Sequence, residues 1–217
     1  MELDFSVLIP YLHMFWQGVL VTLKASALGV AIGSALGIFI GSFRVMPFKP
    51  LRYLMATYIY VLRGTPLMIQ LFLIYFGLPA LGINLDASVA GILGIGINSS
   101  GYVGEIVRGG IESIPKGQWE AGKMLGMSYW QTMKFIILPQ AIRRMLPAIG
   151  NEFVTLIKES SLLSVLAISD LTMVGQQVRS VTYASFETFI FVALVYLVMT
   201  SLTSGALQLL ENRWKVK

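Results

Sequence analysis

The chain is expected to be an all-α, polytopic integral membrane protein of about five spanning helices, and three observations carry that expectation. Of its 217 residues 56% are hydrophobic and 12% charged, with a mean hydropathy of +0.74, whereas a soluble domain carries about a quarter charged residues. The uncharged runs Thr188 to Leu210 and Ala87 to Gly104, and a run from Phe15 to Phe43 broken only by Lys24, match the roughly 20 residues a helix needs to cross a bilayer. These runs are continuous and lack the period-two alternation of a lipid-facing barrel strand, which favours helices.

Taken in order, the spans fall at roughly 12–42, 53–78, 87–108, 142–163 and 187–210. No basic segment precedes the first, and its apolar stretch is longer than a signal sequence uses, so it is expected to remain in the mature protein. The second contains Gly64-Thr65-Pro66, which interrupts it. The third carries Asn98, Ser99, Ser100 and Tyr102 near its middle, and the fourth carries Lys158-Glu159-Ser160-Ser161 where an apolar helix should continue. No repeat or flexible linker divides the chain, so 1–217 is read as a single domain.

The loop at about 109–145 is the one large enough for structure of its own. Pro115 suits a helix start, and Gln118 to Leu125 can form a short helix closed by Gly126 at C′. On it Trp119, Gly122 and Gly126 share a face, where small residues would let a partner backbone approach. The alternative is an amphipathic helix lying at the membrane surface, anchored by Trp119 and Lys123.

Orientation follows from the basic residues, which concentrate on the cytoplasmic side. Arg44, Lys49 and Arg52 follow span one; Arg108, Lys116, Lys123, Lys134, Arg143 and Arg144 lie between spans three and four; Arg213, Lys215 and Lys217 form the tail. The other side receives Glu2 and Asp4, the Pro79 to Asp86 loop, and the loop after span four with Arg179. The N-terminus is therefore expected outside and the C-terminus inside.

The net charge of +5 is explained by this topology, since nucleic-acid binding needs a basic face on a folded soluble unit. With no cysteine and only His13, neither a disulfide nor a protein-built metal site is expected, and His13 reads as an interfacial residue. No G-x-x-x-x-G-K-[ST] loop occurs, so ATP phosphates have no cradle here. No catalytic residue is assigned.

Glu120-Ala121-Gly122, with Gly126 four residues on and Leu138-Pro139 beyond, resembles the EAA loop by which ABC importer permeases engage their ATPases. The likeness extends through Arg63-Gly64-Thr65-Pro66-Leu67 and Gln70-Leu71-Phe72, Asn98 to Gly110, Leu138-Pro139-Gln140-Ala141, Asn151, and Lys158 to Ser164. In order and spacing these segments resemble the polar amino-acid branch of the type I ABC importer permeases, from about residue 14 onward. One departure is Gly122, where alanine is usual.

The resemblance implies a permease subunit of the cytoplasmic membrane that pairs with a second permease, a like copy or a related chain. It also implies cytoplasmic ABC ATPase subunits that bind ATP and magnesium, and an extracytoplasmic binding protein that delivers the amino acid; the chain itself needs no cofactor. Gly117, Gln118, Glu120, Ala121, Gly122 and Gly126 would then couple to the ATPase.

Ionisable groups in hydrocarbon normally face the bundle interior, which makes Glu105, Glu152, Glu159, Lys158, Arg63 and Lys24 the candidates for a pathway. The substrate set read from the interruptions is Glu159, Asn98, Ser100, Tyr102, Thr65, Ser160, Ser161 and Lys158, with Asn98 and Ser100 toward substrate and the remainder of the span-three cluster toward neighbouring helices; the alternative for that cluster is that it only glues helices together. The alternative for span four is that Ser160 and Ser161 bond back to helix carbonyls while Lys158 and Glu159 reach the interface. The buried carboxylates favour a basic amino acid; glutamine or cystine stays open. An ATP-independent secondary transporter is disfavoured, because such carriers usually enclose the pathway with an internal repeat, and a scaffold would not need both a docking helix and broken spans.

Overall fold

A computed structural model describes residues 3–214, without the side chains of 213 and 214; the expected placements of Glu2 and of Arg213, Lys215 and Lys217 lie outside what it describes. After a 3-10 turn at Phe5–Tyr11 come α1 (Leu12–Arg44), α2 (Lys49–Gly64), α3 (Leu67–Phe72), α4 (Ala87–Glu112), α5 (Lys116–Met124), α6 (Tyr129–Thr132), α7 (Leu138–Glu159), α8 (Leu171–Thr182) and α9 (Ser185–Trp214). α3 runs on through a π turn (Leu73–Gly77) and a 3-10 turn (Leu78–Leu81), and another π turn (Met133–Ile137) leads into α7. The fold is all-helical, with no strand among the described residues.

The centre of the bundle is the α1–α4 pair. Gly29, Gly33, Gly37 and Gly41 recur every four residues along α1, so they share one face, and that face meets α4. A Cβ added at Gly33 would lie 2.6 Å from Ser99 Oγ, at Gly37 2.5 Å from Val103 Cβ, and at Gly41 2.5 Å from the Gly104 carbonyl oxygen. Lipid tails are as apolar as leucine, so such helices associate through close van der Waals contact, which small residues permit. α7 packs against this pair on one side and α9 on the other, with Leu156 and Ile157 fully buried between them.

Five spans were expected; by length and composition alone two described stretches can cross a membrane, Phe5–Arg44 and Ser185–Asn212, or three if the bent pair Lys49–Gly64 and Leu67–Leu81 is one span. α4 and α7 are long enough at about 39 and 33 Å but carry more polar residues. Their positions explain this: much of each surface is covered by neighbouring helices, where polar groups find partners.

Three boundaries differ from the sequence expectation. The second span begins at Lys49 and bends by 104° at its interruption, because Pro66 has no N–H and holds Thr65 in extended backbone (φ −118°, ψ 143°). The fourth helix starts at Leu138 and ends at Glu159, passing into a 3-10 turn at Ser160–Leu166 that Ala167 closes with φ 56°. α8 stands where a loop was expected; Asp170 caps it by accepting the Met173 N–H at 2.9 Å.

Candidate functional site

At the interruption of the second span, the carbonyls freed by the bend are met by an amide chain reaching across from α4. Gln70 Nε2 donates to Leu62 O at 2.8 Å and to Thr65 Oγ1 at 2.7 Å. Asn98 Nδ2 in turn donates to Gln70 Oε1 at 3.1 Å. Thr65 Oγ1 donates to Val61 O at 2.8 Å. Backbone left without partners inside a membrane must be satisfied by protein, and Gln70 does that here. Asn98 is thereby engaged by α2 and α3. Ser100 has protein partners too, sharing a hydrogen bond with Tyr58 Oη at 2.8 Å and donating to Ile97 O at 2.6 Å. Tyr102 lies under the Arg63 guanidinium, 5.4 Å from its ring centroid. Beside the break, Arg44, Tyr60, Arg63, Gly64, Thr65 and Glu105 line a cavity of about 490 Å³.

α7 presents a polar stripe. At 3.6 residues per turn, Arg144, Asn151, Thr155 and Lys158 fall on one face; Arg144, Asn151 and Lys158 are exposed and Thr155 is half-buried. Glu159 flanks the stripe and is half-buried, while Glu152, further round, accepts the Ser99 hydroxyl at 2.9 Å. Among the described residues the ion pairs are those of Arg108 with Glu105 and Glu112, so neither Glu152 nor Glu159 makes a direct ion pair there, although Lys158 is close enough to Glu159 to act on its charge. Ser160 is fully buried and donates to Ile157 O at 2.8 Å, and Ser164 donates to Ser161 O at 2.7 Å. The seryl hydroxyl of Ser160 is thus turned to its own helix, the arrangement that the alternative reading of this segment describes, while Ser161 is partly exposed.

The loop helix, α5, begins at Lys116 and is closed by Gly126 with φ +73°, a left-handed position that glycine takes freely. One face is turned inward: Trp119 stacks on Tyr129 with centroids 5.3 Å apart, and Gly122 is buried against Thr132. The expectation that Gly122 admits a partner's backbone is therefore corrected; the space its missing side chain leaves is filled by Thr132 of the same chain. The free face carries Gly117, Gln118, Glu120 and Ala121, with Met124 88% and Leu125 76% exposed. α5 is linked to α7 as well, through Gln140 Nε2 donating to Gln118 Oε1 at 3.4 Å. Burial raises the Tyr129 phenol above its ordinary value.

A second polar cluster lies in the connection before α8. Asp170 is fully buried and accepts the Tyr196 hydroxyl at 3.3 Å, while Thr22 Oγ1 accepts the Leu171 N–H at 3.1 Å. Desolvation pushes the Asp170 carboxyl up to about 6. Neither this cluster nor Gln70, Thr132 and the Ser99–Glu152 bond was expected from sequence. An Asp before Leu-Thr-Met-Val is a legible helix start; the others join residues far apart in the chain.

Comparison with known proteins fits this geometry. The family described as binding-protein-dependent transport system inner membrane components matches residues 33–216. The "Probable glutamine ABC transporter permease protein GlnM" of Bacillus subtilis is 40% identical over 97% of this chain and 98% of its own. The arginine transport system permease protein ArtQ of the same species is 38% identical over 99% of each. A solved structure, an amino acid ABC transporter with histidines, superposes with a TM-score of 0.93 at 44% identity, covering 98% of this chain and 100% of that one. The chain belongs to the binding-protein-dependent transport system inner membrane components and is a membrane-embedded permease subunit of an amino-acid ABC importer, a transport component and not an enzyme.

Proposed function

We propose that the chain forms, with a second permease subunit, the pathway by which a basic L-amino acid crosses the cytoplasmic membrane into the cell, driven by ATP hydrolysis on separate ABC ATPase subunits. The observation that carries this reading is the stripe on α7, flanked by Glu159, a carboxylate with no direct ion pair among the described residues although Lys158 stands next to it in the chain. A polar face on a membrane helix is costly against lipid. Facing a second copy across a two-fold axis, the common symmetry of closed oligomers, the stripe lines a polar path instead. The subunit then spans the membrane about five times, with its N-terminus outside, where a binding protein delivers the substrate.

Within that path Glu159 is assigned to the substrate's side-chain cation, with Thr65, Ser161, Lys158 and Tyr102 around it. Asn98, Ser100 and Ser160 are supporting residues, since their polar atoms have protein partners. Coupling is assigned to the free face of α5. Glu120, Met124 and Leu125 meet the ATPase, and its closure moves α5, which the Gly122–Thr132 and Gln118–Gln140 contacts tie to α6 and α7. ATP and magnesium stay on the ATPase.

Glutamine is the second reading, supported by the names of relatives such as GlnM. Competition uptake of arginine, lysine, histidine and glutamine into vesicles carrying the complete transporter separates the two. A charge-assisted bond to Glu159 contributes on the order of 2 kcal/mol, so Glu159→Gln is expected to weaken arginine uptake roughly thirtyfold. Unchanged arginine preference in that variant refutes the residue assignment; glutamine preference in the unmodified transporter refutes the basic substrate.

A further inference from the structure

Where α1 ends and α2 begins, Arg44, Val45, Arg52, Tyr53, Ile111, Glu112, Trp119 and Tyr129 line an open cavity of about 340 Å³, to which neither the pathway nor the coupling face assigns a role. Its charge is unbalanced. Glu112 is held by Arg108, which also holds Glu105, whereas Arg44 and Arg52 have no ion-pair partner among the described residues, and Arg44 Nε is buried without any hydrogen-bond acceptor. A desolvated guanidinium N–H with no acceptor is costly. An oxyanion in the cavity supplies the acceptor and meets both guanidinium groups.

We propose that this cavity binds the phosphate of an anionic phospholipid from the cytoplasmic leaflet. Three features favour a lipid over a soluble anion or a carboxylate of the ATPase. The walls hold Tyr53, Trp119 and Tyr129, aromatic residues of the kind that settle at headgroup depth. Next to the cavity Phe48, which precedes α2, and Tyr53 and Leu54 on α2 are exposed, an apolar surface along which acyl chains can run. The segment also lies on the basic side of the protein, where pockets between helices take anionic headgroups. A headgroup seated there touches α5 through Trp119, so its occupancy positions the loop helix.

The test uses the purified complete transporter in mild detergent, titrated with phosphatidylglycerol or phosphatidylcholine and read by native mass spectrometry. The unmodified protein is expected to retain phosphatidylglycerol preferentially. Arg52→Gln should lower its retention about fivefold and the Arg44→Gln/Arg52→Gln pair further, while Arg52→Lys keeps much of it. Arg143→Gln, an exposed cation outside the cavity, should bind as the unmodified protein does. Equal loss in Arg143→Gln means diffuse surface attraction, and no loss in the paired variant means another location; either overturns the site. Displacement of the lipid by millimolar inorganic phosphate, or retention of the lipid by the permease purified alone but not by the complete transporter, overturns the lipid as occupant.

Discussion

Gly122→Ala restores the alanine usual at the third position of the EAA triplet, yet the structure predicts that it harms this chain. The new Cβ would stand 2.6 Å from both Cγ2 and Oγ1 of Thr132, against an ordinary contact of about 3.5–4.0 Å. Thr132 is 3% exposed, and its hydroxyl donates to Ser128 O at 3.1 Å, so it cannot turn away without losing that bond. Overpacking of this kind costs about 1–3 kcal/mol. Replacing glycine by alanine inside a helix gains about 1 kcal/mol, leaving a net loss of up to about 2 kcal/mol. In a Thr132→Ala background the two atoms at 2.6 Å are gone and only the Cβ of residue 132, at 3.2 Å, remains close; a shift of that neighbour relieves it, and the same substitution should then stabilise α5 by up to about 1 kcal/mol. Amide hydrogen exchange of residues 116–126 in the detergent-solubilised transporter reads the sign directly: faster exchange for Gly122→Ala alone, slower when it is added to Thr132→Ala. Slower exchange in both backgrounds would show that Thr132 does not occupy the space beside Gly122, and the inward placement of that face would be wrong.

Gly41→Ala should sharply reduce the yield of folded protein, because its Cβ meets the Gly104 backbone at 2.5 Å, whereas Gly64→Ala has open space and should be tolerated; size-exclusion profiles compare them. Asn98→Ala leaves the buried Gln70 Oε1 without its donor and should cost about 1–3 kcal/mol of stability, read as a lower Tm with Asn98→Asp as a second probe of the amide donor. Asp170 has a folded-state value of about 6 against an ordinary 3.8; because it is raised, its contribution is fully present below about pH 3.8 and is lost as pH rises through 6. The unmodified protein should therefore gain stability relative to Asp170→Asn, by up to about 3 kcal/mol, as pH falls from 7 to 4; parallel Tm profiles for the two would contradict the assignment.

Sequence reading reached furthest where the signal was local. The apolar runs, the Pro66 interruption and the Gly126 closure each depend on neighbouring residues, and each has its counterpart in the helices described. The spacing of Gly29, Gly33, Gly37 and Gly41 was equally legible as a close-packing stripe, but a reading of apolarity passes over it. What the sequence withheld was direction. A small residue such as Gly122 announces a close approach without saying whose atoms approach, and here they are those of Thr132. Asn98 and Ser100 were polar residues in a membrane helix with two possible uses, and the choice depended on Gln70 and Tyr58, 28 and 42 positions away. Ser160 followed the same logic at short range, since a serine can bond its own helix or face a ligand with the same sequence.

Under the proposed function, this subunit carries an amino acid only when ATP is hydrolysed on a partner that engages α5. Reconstituted into vesicles with its ATPase and binding protein, the unmodified subunit should take up amino acid only with ATP and magnesium, and Glu120→Ala should abolish that uptake and weaken ATPase retention without affecting membrane insertion. Uptake that proceeds without ATP, or that survives Glu120→Ala with the ATPase still bound as in the unmodified complex, would rule out coupling through α5.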